Sequence, residues 1–377
     1  MNKVYFDNAA TTAMDEEVIA IMHKTMQENY GNPSSSHATG RKSRAVIETS
    51  RRTIANLINA ETSEIFFTSG GTEADNMAIR GAVRDAGVKN IITSKLEHPA
   101  VLNTVAHLLK KKKVVNVDYV QTNNLGEIDY MHLEQLLSTQ ENVLVSLMHG
   151  NNEIGNLLDI HKVSVLCQKY NALFHSDTVQ TVGHYDLDLQ KTHIDFLTCS
   201  AHKFHGPKGV GFLYINKIRN ITPLIHGGSQ ERDMRAGTEC VYGIVGLAKA
   251  MEVAYRDLIQ HTEYITNLKK HMVEQIRKNI PFASFNGMSD NLENSLYTVL
   301  SISLPKSDYS SLLLFNLDLL GISCSGGSAC SSGNVTQSHV ISEIDSNDGP
   351  VIRFSFSKYN TFEEVDFAIT QLASLFD

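Results

Sequence analysis

The chain has 377 residues, 42% of them hydrophobic and 20% charged, with a formal net charge of −8. This length suits a large domain joined to a smaller one, and the composition is that of a globular enzyme. The acidic balance argues against any broad electrostatic attraction to nucleic acid.

The first residues, Met1 to Asp7, lack the apolar stretch of a signal peptide, so a cytoplasmic location is expected. No apolar run is long enough to span a bilayer: the stretch from Leu312 to Leu320 is short and contains Asn316 and Asp318. Five cysteines (Cys167, Cys199, Cys240, Cys324, Cys330) are few and unevenly spaced for a disulfide framework. They read as small buried residues unless one is reactive. The run Lys110 to Lys113 reads as a solvated helix C-terminus.

Strand-like and helix-like segments alternate from about Glu64 to Leu213. Glu64 to Thr68 reads as a buried strand and Thr72 to Ala86 as a helix. Asn90 to Thr93 is a second strand, and Pro99 opens a helix, where proline suits the first turn. Val114 to Tyr119, Val143 to Met148, Ala172 to His175 and His193 to Cys199 are further β-rich runs, with helices carried by Met131 to Leu137 and Ile160 to Tyr170. The rhythm predicts an α/β domain with a mostly parallel sheet and a ligand crevice at the strands' carboxyl ends. From Thr238 to about Asn279 the pattern is helical, as one long helix or two in tandem. Tyr297 to Leu304 and Val351 to Phe356 then read as strands, and Ser307 to Leu319 and Thr361 to Phe376 as helices. This tail predicts a smaller α+β domain, completed by the N-terminal segment. The expected division is a large domain over 16–259 and a small one over 1–15 and 260–377.

Chemistry-bearing residues fall at the predicted strand ends. Lys203, in Ser200-Ala201-His202-Lys203, follows the run His193 to Cys199 and precedes a Gly-Pro turn. An amine held there can form a Schiff base with an aldehyde cofactor; an ordinary surface lysine is the alternative. Thr68 to Ala74 contains Gly70, Gly71 and Thr72 between strand and helix. Bare backbone at a helix N-terminus can hold a phosphate, although a glycine turn with a threonine cap looks the same. His98, in Glu97-His98-Pro99, can lie on an aromatic ring and exchange protons, or simply be an exposed histidine at a helix start. Asn152 and Gln180 could reach a ring hydroxyl, and Asp177 could keep a pyridine nitrogen protonated; routine capping is the alternative for each.

Together with Phe6 to Thr12, Gly31 to His37 and His226 to Thr238, these stretches stand in the order and at the spacing of a known family. The chain resembles a cysteine desulfurase of the class V aminotransferase superfamily, with the fold-type I architecture of enzymes dependent on pyridoxal 5′-phosphate (PLP), over nearly its whole length. The resemblance implies that Lys203 bonds the cofactor, that Asp177 partners the pyridine nitrogen and that His98 stacks and transfers protons. Asn152 and Gln180 resemble contacts to the phenolic oxygen, and Gly71, Thr72, Ser200 and His202 phosphate ligands. Thr238 matches a threonine that reaches the phosphate from the second subunit, which implies a homodimer with shared active sites. Asn32 and Arg353 match residues that hold the substrate carboxylate, a role that suits a guanidinium fork. Cys330, in the glycine-rich stretch Cys324 to Gly333, matches the nucleophile that takes sulfur as a persulfide from L-cysteine, leaving L-alanine. Glycines beside it would let a loop carry the thiol in and out.

The interval from Cys330 to Arg353 resembles the group I branch, although Gly333 to His339 lacks the acidic-proline pair usual after the nucleophile. Members of the branch often extend past the last helix to dock an iron–sulfur scaffold, whereas this sequence ends at Asp377, so the sulfur acceptor (an Fe–S scaffold or a tRNA-thiolation enzyme) stays open. The rival readings are a related aminotransferase, a selenocysteine lyase, and a non-catalytic sulfur or metal carrier using Cys324, Cys330 and His339. No resident metal is expected. Cysteine 324 reads as packing.

Overall fold

The computed structural model describes residues 3–306, 312–326, 338–344 and 349–376. In chain order, the N-terminal part contributes β1 (Val4–Tyr5), α1 (Glu16–Glu28) and α2 (Ala38–Leu57). The alternating part follows with β2 (Ile65–Thr68), α3 (Gly71–Asp85), β3 (Asn90–Thr93), α4 (Pro99–Lys110), β4 (Asn116–Tyr119), α5 (Tyr130–Ser138), β5 (Val143–Ser146), α6 (Ile160–Lys169), β6 (Leu173–Asp177), β7 (Phe196–Ser200) and β8 (Gly211–Ile215). The remainder is α7 (Val241–Arg256), α8 (Leu258–Asn279), β9 (Ser284–Phe285), β10 (Val299–Ser303), α9 (Leu313–Leu319), β11 (Ile322–Ser323), α10 (His339–Ser342), β12 (Val351–Ser355) and α11 (Phe362–Ala373).

Strands β2 to β8 form one seven-stranded sheet in the order β2-β8-β7-β6-β5-β3-β4, parallel except for β8, which runs against both neighbours. The central strands β5, β6 and β7 are buried along their whole length between two helical layers, apolar at their starts and polar toward the carboxyl ends of β6 and β7. Alternation sorts their side chains. Phe67, Val145, Phe174, Leu197 and Phe212 join one core with residues of α1, α2, α6 and α7. Phe66, Ile91, Leu144, Phe196 and Leu213 join another with α3 and α4. Local sequence starts the helices: Asp15, Asp129 and Asp159 cap α1, α5 and α6 through their carboxylates, and Pro99 opens α4.

A second set of elements has its own core. β10 pairs antiparallel with β12 and β9, and α8 and α11 cover that sheet. Val4 and Phe6 pack into the same core, with β1 parallel to β11, so the first residues join the last hundred. The helical stretch after Thr238 is two helices meeting at Asp257. Residues 16–57 form two helices that the strand-and-helix rhythm passes over. The helix expected from Ser307 begins at Leu313 among the described residues.

Among the described residues no helix is long and apolar enough to cross a membrane. No group of three or more His, Cys, Asp or Glu among them is arranged to hold a metal ion.

Candidate active site

The carboxyl ends of β2, β3, β5, β6 and β7 open into a cleft of about 260 Å³. It brings together Lys203, His98, Gly71, Thr72, Asn152, Asp177, Gln180, Ser200, His202 and Arg353, residues spread over almost three hundred positions of the chain. Lys203 ends a short 3₁₀ turn directly after β7. Its Nζ donates to the carbonyls of Ala9 (2.6 Å) and Ala10 (3.0 Å), and Gln180 Nε2 also donates to Ala9 (3.1 Å). His202 meets the Thr11 hydroxyl at 3.2 Å through Nδ1. The N-terminal segment is therefore one wall of the cleft.

At the opposite end, α3 begins at Gly71 with no side-chain cap, leaving its first N–H groups for an anion. Gly70 holds a φ of 145°, which L-residues with side chains rarely adopt. A Cβ placed on Gly71 would lie 2.6 Å from Val179 Cγ2, so bare backbone is required there.

Asp177 ends β6 almost fully buried and accepts the Val179 N–H at 2.9 Å. Burial, with Asp75 adding, pushes its carboxyl up to about 6, against the pull of His98, the Val179 N–H and His175. His98 caps α4: its Nδ1 accepts the Ala100 N–H at 3.1 Å. Burial holds the His98 ring below the usual imidazole range, Lys203 and His339 adding and Asp177 opposing.

Arg353, on β12, is 1% exposed. Its Nη2 bonds Asp7 Oδ1 (2.9 Å) and its Nη1 the Asn152 carbonyl (2.8 Å). Its Nε has no partner among the described residues. A guanidinium fork of this kind can bind a carboxylate. The backbones of Arg353 and Ser325 exchange two hydrogen bonds (2.6 and 3.3 Å), and the Ser325 hydroxyl donates to Asp7 Oδ1 (2.7 Å). Asp7 thus orients Arg353, a role hidden within the Phe6 to Thr12 motif. On α10, His339 Nε2 meets the Glu97 carbonyl at 3.0 Å.

Cys330, the expected nucleophile, lies outside the described residues. Asn32 and Thr238 do not line the cleft of the single chain. Asn32 is exposed and accepts the Ser34 N–H at 2.9 Å. Thr238 is exposed just after Arg235, whose guanidinium grips both oxygens of Glu73, the residue following Thr72 (2.9 and 3.2 Å). The Cys324 thiol is pushed up to about 12 by burial, with Asp7 adding and Arg353 opposing, and so stays neutral.

An anion-binding helix start, a buried carboxyl group, an amine and a carboxylate fork in one cleft fit a phosphate-bearing pyridine aldehyde with an amino acid beside it. Comparison with known proteins agrees. A model of the class V aminotransferase family matches residues 4–367. The cysteine desulfurase IscS of Dictyoglomus turgidum is 42% identical over 385 residues, covering all of this chain and 95% of the relative. A putative cysteine desulfurase IscS 1 of Bacillus subtilis is 39% identical over 382 residues, covering 100% and 99%. Among solved structures, a NifS-like protein superposes with a TM-score of 0.90 at 37% identity, covering 100% and 99% of the two chains. SspA in complex with cysteine gives 0.79 at 30% identity, covering 96% and 100%. The chain belongs to the class V aminotransferase family, a group of PLP-dependent enzymes with the fold-type I architecture. Within that family it is a cysteine desulfurase.

Proposed function

We propose that the chain takes sulfur from L-cysteine onto Cys330 as a persulfide, releases L-alanine, and hands the sulfur to an acceptor protein for iron–sulfur cluster assembly or thiolation of tRNA or a cofactor. The observation that carries this reading is the convergence of Lys203, Asp177 and Arg353 on one cleft.

PLP, when bound, supplies an electron sink for charge developing at the substrate's α carbon. Gly71, Thr72, Ser200 and His202 would hold its phosphate, and Asn152 and Gln180 its ring oxygen. Asp177 would face its ring nitrogen. Arg353, steered by Asp7, grips the substrate carboxylate, with Asn32 assisting. Lys203 takes the α proton. The Cys330 thiolate attacks the substrate sulfur: the carbon–sulfur bond breaks, a sulfur–sulfur bond forms, and the carbon takes a proton. Cysteine plus thiol thus becomes alanine plus persulfide.

His98 is the proton carrier of this scheme. Because Nδ1 accepts the Ala100 N–H, the neutral ring carries its hydrogen on Nε2 and is ready to donate. In this reading the protein is a cytoplasmic homodimer, in a compartment that keeps thiols reduced. Thr238 of each chain completes its partner's phosphate site, and the domain division falls at 15/16 and 259/260. The separate core around Val4, Phe6 and the C-terminal elements supports that division.

The test is to incubate the loaded enzyme with L-cysteine and map the protein by mass spectrometry. One added sulfur atom on Cys330, with alanine formation abolished by Cys330→Ala, is expected. Undiminished alanine formation by Cys330→Ala would overturn the reading.

A further inference from the structure

Helix α10 has no part in the scheme above, yet it is docked on the turn that carries His98. Val340 and Ile341 are buried with Ile344 against Leu96 and Ile154, in a small core separate from the two that flank the seven-stranded sheet. Leu96 precedes His98 by two residues, and Ile154 follows Asn152 by two. Lys95 pairs with Glu343 at 3.0 Å. The Ser338 hydroxyl accepts the Val340 N–H at 3.1 Å and so starts the helix.

The turn before His98 is pinned from outside at each acceptor. Asn151 Nδ2 donates to the Leu96 carbonyl at 2.9 Å, and the Met148 N–H donates to Glu97 Oε1 at 2.7 Å, both from the loop after β5. The Glu97 carbonyl is left, and His339 Nε2 meets it at 3.0 Å. A carbonyl only accepts, so His339 carries its hydrogen on Nε2. That carbonyl belongs to the planar peptide group joining Glu97 to His98, so the bond fixes the plane from which His98 departs. On its other side the His98 ring is tied through Nδ1 to the Ala100 N–H.

We propose that His339 is a positioning residue for His98: its Nε2–H holds the peptide plane between Glu97 and His98, and through it the His98 ring, at their place in the cleft. The inference rests on the reading of His98 as the proton carrier. Glu97 is 1% exposed, so without the imidazole donor its carbonyl would lack this partner in a place water hardly reaches, and the plane would turn to find another.

The test is alanine formation from L-cysteine by the cofactor-loaded enzyme, in steady state and in single turnover. His339→Phe keeps a planar ring and removes the donor. It should lower kcat about tenfold, the scale of one lost hydrogen bond, while KM for L-cysteine and the visible band of the bound cofactor stay as in the wild type. His339→Gln keeps a side-chain N–H and should recover most of the rate. In a His98→Gln background, His339→Phe should cost nothing further, since it acts through His98. A wild-type rate for His339→Phe, an equal loss for His339→Gln, or a further loss in the His98→Gln background would overturn the inference. His98→Gln alone separates the two levels: undiminished turnover by that variant sinks the reading of His98 itself. Should His339→Phe not fold, His339→Leu is judged by the same criteria.

Discussion

Single residues in this molecule are set by partners far away in sequence. Arg353 reaches its geometry only because Asp7 and the Asn152 carbonyl each take one nitrogen. A lysine gathers its three donors on one nitrogen and lacks the planar fork that spans these two partners and meets a carboxylate, so Arg353→Lys should raise KM for L-cysteine about 10- to 100-fold, with a smaller effect on kcat, in steady-state assays. Lys269 is a different case. It is fully buried on α8 and donates to the Ser295 hydroxyl and the Leu296 carbonyl, both at 2.7 Å. Burial brings its amine from 10.5 down to about 7, Asp290 opposing. Between those values the unfolded chain holds a proton that the fold does not, so this group makes stability rise with pH through the window. Chemical denaturation across that range should show a steeper rise for the wild type than for Lys269→Met. Neither the Asp7 link nor the burial of Lys269 was legible in the sequence: Asp7 sits inside a motif whose members look alike, and Lys269 stands among other polar helix residues, Asn267 and Lys270 included.

At the scale of elements, the strand–turn–helix unit from β2 to α3 was readable because its chemistry is local. Two glycines between an apolar strand and a helix permit close backbone approach by an anion, although a plain capped turn has the same sequence. Gly71→Ala places a methyl against Val179 and the phosphate-binding turn, and should weaken PLP retention about tenfold, measured by dialysis and residual absorbance. The alternation from β2 to β8 was legible for the same reason: each buried strand is a short apolar run between turn residues. Helix α2 was not. Its sequence is dense in arginine, serine and threonine, and its register depends on Arg51, which is buried only because Glu231, from a segment 180 residues on, takes two of its nitrogens at 2.8 and 2.9 Å. The junction at Asp257 carries neither glycine nor proline, so nothing local marks where α7 stops.

For the whole molecule, the cleft of one chain holds most of the expected site, while Asn32 and Thr238 lie exposed outside it. Thr238 is exposed beside the Arg235–Glu73 pair, on the segment proposed to complete a partner. A Lys203→Ala chain and a Thr238→Ala chain, each impaired alone, should therefore complement each other. After unfolding and refolding an equal mixture, about a quarter of the sites would be intact, restoring activity to match. No recovery would mean that each chain builds its site alone. The motif behind the proposed shared site stands in the sequence, but exposure and burial, which separate an outward-facing threonine from an inward-facing one, come only with the fold.

The backbone pairing of Ser325 with Arg353 has a consequence for delivery. Cys330 follows Ser325 by five residues, so its α carbon cannot lie more than about 18 Å from that moored point, however the chain between them is drawn. Sulfur carried on Cys330, as proposed, would stay within that reach of the strand that bears Arg353. Under that proposal a recipient must bring its own acceptor atom to that rim of the molecule, and one settled on the distant face of the seven-stranded sheet would leave empty-handed.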